Sequence, residues 1–124
     1  PYLWERKITL IVPVPLHSRR KRKRGFNQAE IVAKVLSENT GIAMDAGAVK
    51  RIKATSPQKE LGDKGRKRNI RGAFAVQKNV KGENIVLIDD IYTTGSTLDE
   101  AARVLKKAGA ENVYFLTVSI GQGI

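Results

Sequence analysis

The sequence predicts an α/β domain with a mainly parallel central sheet and helices on both faces. Three observations carry that prediction. Ile8-Thr9-Leu10-Ile11-Val12, Ile85-Val86-Leu87-Ile88 and Val113-Tyr114-Phe115-Leu116-Thr117-Val118 are short apolar runs rich in β-branched residues, the pattern of strands buried on both faces. Between them, apolar residues recur at helical spacing: Ile31, Val32, Val35 and Leu36 in one segment, Leu98, Ala101, Ala102, Leu105 and Ala108 in another. Strands that alternate with helices along a chain are joined by crossovers, which make neighbours parallel.

One domain over residues 1–124 accommodates these elements, and 41% hydrophobic with 28% charged residues is a globular composition. No apolar run approaches the roughly 20 residues that cross a bilayer, and no secretory leader opens the chain, so a cytoplasmic location is expected. Cysteine is absent, which excludes disulfides and thiolate metal sites within this segment. The chain opens on Pro1 and its one methionine is Met44, so the segment is expected to be part of a longer protein. Twenty-three Lys and Arg against twelve Asp and Glu leave a net charge of +11. Such a surplus favours polyanions: nucleic acid, phosphorylated small molecules or an anionic membrane face. No basic amphipathic helix with a large aromatic face is evident, so membrane binding is the least supported of these.

The first strand runs into Pro13 and Pro15, neither of which donates a ladder hydrogen bond. Pro13-Val14-Pro15-Leu16-His17 therefore reads as a stiff loop at a strand's carboxyl end. Six consecutive basic residues follow, Arg19, Arg20, Lys21, Arg22, Lys23 and Arg24, closed by Gly25. Six like charges with no intervening acid are costly to assemble unless a polyanion visits, and they mark a candidate nucleic-acid contact; the plain alternative is a solvated charge run. Asn27, with Glu30 three residues on, has the form of a capping box opening the first helix, which ends near Asn39 to Gly41.

Ala48-Val49-Lys50-Arg51-Ile52-Lys53 can form a third strand, broken by Thr55-Ser56-Pro57-Gln58. Residues 59–71 are polar, glycine-containing and rich in positive charge, with a short helix around residues 64–70; they suit a flap with anion-seeking side chains or a plain surface loop. Phe74-Ala75-Val76 reads as a short strand. The second long helix is expected from Leu98 to Gly109, whose glycine supplies the stop.

The chemistry concentrates in Asp89-Asp90-Ile91-Tyr92-Thr93-Thr94-Gly95-Ser96-Thr97, at the carboxyl end of the central strand, the sheet edge where α/β proteins bind ligands. Thr93, Thr94, Ser96 and Thr97 set hydroxyls around Gly95, which permits a tight turn with inward N–H groups. The helix that follows adds unpaired N-terminal donors, so the stretch is an anion cradle suited to a phosphate monoester. Asp89 and Asp90 repel a phosphate. They suit vicinal sugar hydroxyls, or Mg²⁺ held directly or through water. A phosphate site beside a diol site describes a ribose 5-phosphate. No Gly-Lys-Ser/Thr follows the turn, so it is not a Walker A loop.

Residues 86–97 resemble the signature for 5-phosphoribosyl 1-pyrophosphate (PRPP) in type I phosphoribosyltransferases. Val12-Pro13-Val14-Pro15-Leu16-His17, Arg24-Gly25-Phe26-Asn27-Gln28-Ala29-Glu30, then Gln58, Leu61, Arg66, Asn69 and Gly72-Ala73-Phe74 resemble the ComF family of phosphoribosyltransferase-like proteins, associated with natural competence and DNA uptake. The resemblance spans residues 8–119. It implies that Asp89 and Asp90 act at the ribose hydroxyls and Mg²⁺, that Thr93, Thr94, Gly95, Ser96 and Thr97 hold the 5-phosphate, and that Pro15, Leu16 and His17 form the pyrophosphate loop. Arg51, Gln58, Arg66 and Asn69 fall in or near the flexible loop that closes over PRPP in such enzymes. Family members often carry an amino-terminal zinc-binding segment with paired cysteines, which this sequence lacks.

Two functional readings follow. In the first, a PRPP-binding domain of a competence protein uses its basic surface for single-stranded DNA or competence-protein partners. In the second, an active Mg²⁺-dependent phosphoribosyltransferase acts on an unidentified nucleobase or amine, although no purine or pyrimidine pocket is recognisable. PRPP as a regulatory ligand that is not consumed would join the two.

Overall fold

A computed structural model describes residues 7–15, 28–52, 71–90 and 95–118, with Asp90 described by its backbone. The central strand assembles as its composition requires. Strand β5 (Asn84–Asp90) lies between β1 (Leu10–Pro13) and β6 (Asn112–Val118), parallel to both, and β2 (Ala43–Met44) adds to the far side of β1. The order is β2-β1-β5-β6, with Leu10 opposite Ile85 and Ile88 opposite both Pro13 and Leu116. β2 is too short to have left an apolar run in the sequence.

Alternation along β5 feeds two cores. Ile85 and Leu87 join Val12 on one face, under helix α2 (Gly95–Lys107); Val86 and Ile88 join Ile11 on the other, under α1 (Gln28–Thr40). All six are fully buried or nearly so. Each such side chain contributes about 1.5–3 kcal/mol by leaving water. Helices on opposite faces of a parallel sheet are the predicted architecture. No helix among the described residues is long and apolar enough to cross a membrane.

The core face of α1 differs from the expected one. Ala29, Val32, Ala33 and Leu36, at i, i+3, i+4 and i+7, meet the sheet, while Ile31 and Val35 are 49% and 51% exposed. The alanines decide this, because their small side chains let the helix approach β1 and β5 closely. The helix stops where expected: Thr40 Oγ1 donates to the Leu36 carbonyl at 2.7 Å, and Gly41, at φ +77°, donates its N–H to Ser37 O.

The third expected strand does not enter the main sheet. β3 (Val49–Arg51) pairs antiparallel with β4 (Phe74–Val76) as a separate two-stranded sheet, with Val49 opposite Val76 and Arg51 opposite Phe74. Val49 and Phe74 pack with Val12, Val14 and Leu98, which places this sheet on the α2 face. On α2, Leu98, Ala101 and Leu105 are buried as the spacing requires, whereas Ala108 falls beyond the helix and is exposed. Lys106 and Lys107 occupy the last turn, where cations suit the helix dipole. Gly109 closes it at φ +109°, and a Cβ there would lie 3.3 Å from the Lys81 backbone, so conformation and space both demand glycine.

Candidate ribose-phosphate site

The parallel register brings the carboxyl ends of β1 and β5 to one edge. Val14 N–H donates to Ile88 O at 2.9 Å, one step past Pro13. The expectation that Pro13 ends the ladder is thereby corrected. Val14 spends its N–H on β5, so alternation turns the Pro13 nitrogen toward the β2 side. There the short strand has already ended, with Asp45 N–H on Ile11 O, and no bond is lost. Pro15 follows at the same edge as the acidic pair, as expected.

Asp89 ends the α2-facing row Ile85-Leu87-Asp89 and is 1% exposed. Asp90 is the last residue of β5, in register with Val118. Five positions beyond Asp90 the chain enters α2, which begins at Gly95 rather than Leu98, so Gly95, Ser96 and Thr97 form the first helical turn. Gly95 is not in the left-handed region, and no atom of the described residues lies within 4 Å of where its Cβ would be. The expected tight turn at Gly95 therefore gives way to a helix start, with open space above a residue that neither conformation nor packing requires to be glycine. Thr97 is buried beside Leu98. The first-turn N–H groups have no carbonyl four residues back within the helix, the kind of unpaired donors on which a helix start can receive an anion.

Arg51 ends β3 with its guanidinium 5.3 Å from the centroid of the Phe74 ring, a cation–π contact across the strand pair. Among the described residues the fold thus brings Pro15, Asp89, Asp90 and Gly95, Ser96 and Thr97 to one sheet edge, and sets Arg51 on the small sheet packed against it. Leu16, His17, Arg66, Thr93, Thr94, Gln58, Asn69 and the basic run Arg19, Arg20, Lys21, Arg22, Lys23 and Arg24 lie outside the described residues.

A functional tie that sequence reasoning missed is Glu100. Its carboxylate is buried on α2, accepting from Arg103 Nε at 2.8 Å and Nη2 at 2.7 Å, and from the Gly72 N–H at 2.9 Å. Helix α2 is thereby clasped to Gly72, the residue that follows the expected flap of residues 59–71. The available signal was a Glu three residues before an Arg on one face of the second helical pattern. The Arg103 hydrogen bonds, helped by Gly72, hold the Glu100 carboxyl below its usual range against the opposing effect of burial. A depressed folded-state pKa stabilises above the unfolded value near 4.5, and that stability is lost as pH falls through the lowered value. Glu100→Gln is therefore expected to cost about 1–2 kcal/mol at pH 7 in urea denaturation, a difference that shrinks as pH falls through the lowered value and the parent carboxyl takes up its proton.

A helix start at Gly95-Ser96-Thr97, an acidic pair before it and a doubly covered parallel sheet are the arrangement of a phosphoribosyltransferase-type domain. The family model described as phosphoribosyl transferase domain matches residues 7–120, and the chain belongs to that family. Within it, the ComF resemblance holds. The chain is 43% identical over 103 residues to DNA utilization protein YhgH of Salmonella typhi and 42% over 106 to competence protein F of Haemophilus influenzae. It is 36% identical over 112 residues to competence protein ComFC of Bacillus subtilis. These alignments take in 83%, 83% and 88% of this chain but 45%, 46% and 43% of the relatives, so the chain spans less than half their length. Among solved structures, that of the allosteric regulatory enzyme of purine biosynthesis superposes with a TM-score of 0.56 at 22% identity, over 87% of this chain and 21% of that one; it shares the fold.

Proposed function

We propose that this chain is the PRPP-binding part of a competence-type DNA-uptake protein, with single-stranded DNA held by its basic surface. The observation that carries the reading is Gly95, open above its α-carbon at the first turn of α2, just beyond the acidic pair. Gly95, Ser96 and Thr97, with Thr93 and Thr94, hold the 5-phosphate; Asp89 and Asp90 receive the ribose hydroxyls; Pro15, Leu16 and His17 face the pyrophosphate; Arg51 and Arg66 answer its charge. Mg²⁺ fits this donor set, because it takes one or two carboxylates and completes its shell with water and phosphate oxygens. Among the described residues there is no cluster of three or more metal-ligating side chains, and such an ion needs none. When bound it would neutralise charge on the pyrophosphate. The competence role rests on the names of relatives of which the alignments take in less than half, and the +11 charge supports the DNA contact.

Calorimetric titration of PRPP with Mg²⁺ into the parent chain and Gly95→Ala tests the ligand. The alanine methyl is expected to weaken PRPP binding at least about tenfold by filling the cradle, while raising thermal stability by about 0.4–1 kcal/mol, since a helical position gains from alanine. Equal affinity in both chains removes the cradle assignment. For the DNA contact, replacing Arg19, Arg20, Lys21, Arg22, Lys23 and Arg24 by Ser and Gln is expected to reduce the salt slope of oligothymidylate binding by about 4. An unchanged slope puts the contact elsewhere. The retained acidic pair favours a second reading, turnover of PRPP with a nucleobase or amine, which release of pyrophosphate in a nucleobase screen would establish.

A further inference from the structure

Among the described residues the small sheet has a free edge beside a groove. Ile52 N–H donates to Ala73 O at 2.7 Å and Gln77 N–H to Ala48 O at 2.8 Å, which fixes Ala73, Ala75 and Gln77 as the residues bonded toward β3. In an antiparallel pair the residues between them turn their polar groups the other way. Phe74 and Val76 therefore direct N–H and C=O to the far edge of β4. An open groove of about 280 Å³ runs there, between β4 and α2. Val104 and Ala108 supply apolar lining from the helix side, and the two ionisable side chains in the lining, Arg103 and Lys107, are both cations. Glu100 already balances Arg103, so Lys107, exposed at the end of α2, sets the sign of what enters.

We propose that this groove binds an extended acidic peptide segment of a partner protein, which adds to β4 as a third strand of the small sheet. Strand addition answers the alternating donors and acceptors of Phe74 and Val76 at peptide spacing. A DNA backbone presents acceptors alone and leaves the carbonyls unanswered. The apolar lining takes alternate side chains of the incoming strand, and Lys107 selects acidic ones between them. The site is separate from the phosphate cradle and does not depend on PRPP binding.

A fluorescein-labelled heptapeptide alternating Val and Glu is the probe, followed by anisotropy with the intact chain. Saturable binding is expected, weakened at least about fivefold by Lys107→Glu and abolished when the alternate peptide amides that face β4 are N-methylated. The Lys107 position is exposed, and a melting curve confirms that the variant folds. The same peptide with Lys for Glu should not bind. Hydrogen exchange should slow at Phe74 and Val76. No saturable binding to the parent chain would overturn the proposal, as would affinity indifferent to both Lys107→Glu and N-methylation. Displacement of the peptide by oligothymidylate, with the same dependence on Lys107, would make the groove a nucleic-acid surface instead.

Discussion

Asp89→Asn combined with Asp90→Asn is expected to lower PRPP affinity in the presence of Mg²⁺ by about a hundredfold. Each charge-assisted hydrogen bond to a ribose hydroxyl is worth roughly 1.5–3 kcal/mol, and 1.4 kcal/mol is a factor of ten. The amide keeps the carboxylate's shape, which matters for Asp89, at 1% exposure a tightly enclosed side chain at the end of β5. It removes the negative charge that a divalent ion requires. Affinity in the variant should therefore also lose its response to a chelator, which separates loss of the ion from loss of a hydrogen bond. Calorimetry with and without Mg²⁺ reads both effects, and a thermal melt checks the fold. Affinity equal to the parent's would withdraw the ribose assignment.

Leu87→Ala is expected to be the most destabilising of the changes considered, by about 3–5 kcal/mol out of a total of roughly 5–15. Leu87 is fully buried in the middle of β5, in register with Val12 on one side and Phe115 on the other. Strands pin it on both sides, so the cavity left by truncation collapses little. For a chain of this size the melting temperature should fall by at least about 10 °C. Ile31→Ala removes the same three carbons from α1 yet should cost less than about 0.5 kcal/mol, because Ile31 is half exposed. Equal costs for the two would show that α1 meets the sheet by the Ile31–Val35 side after all.

The contrast between Leu87 and Ile31 also marks how far the sequence could be read. Strand β5 was legible because its apolar residues are continuous, a pattern that only burial on both faces explains. The carboxyl-edge placement of Asp89 and Asp90 followed from it, since they come next in the chain. Strand β4 emerged with the expected bounds. What failed were choices between near-equivalent faces and partners. Four apolar residues on α1 fit a helical stripe, but two alanines fix the face that touches the sheet, and alanine carries little hydropathy signal. Residues 48–53 had the composition of a strand and nothing that named its partner, which turned out to be the local antiparallel β4. Glu100 escaped notice because a carboxylate's burial is decided by a backbone N–H 28 residues away, at Gly72.

One feature of β6 bears on how the molecules behave in a population. All seven of its residues are uncharged in a chain of net charge +11, and β6 is the last strand of the described sheet, with Phe115 48% and Leu116 39% exposed. Edge strands normally carry lysine, proline or a bulge that discourages pairing between molecules. Here the deterrent is long-range, the mutual repulsion of strongly cationic particles. Its reach shrinks to about 10 Å at 0.1 M salt, while hydrogen bonding and apolar contact at the edge are undiminished. Colloidal stability is therefore greatest in dilute buffer and falls as electrolyte is added, the reverse of salting-in. A polyanion that cancels the charge acts as concentrated salt does, crowding copies of the chain edge to edge along its length.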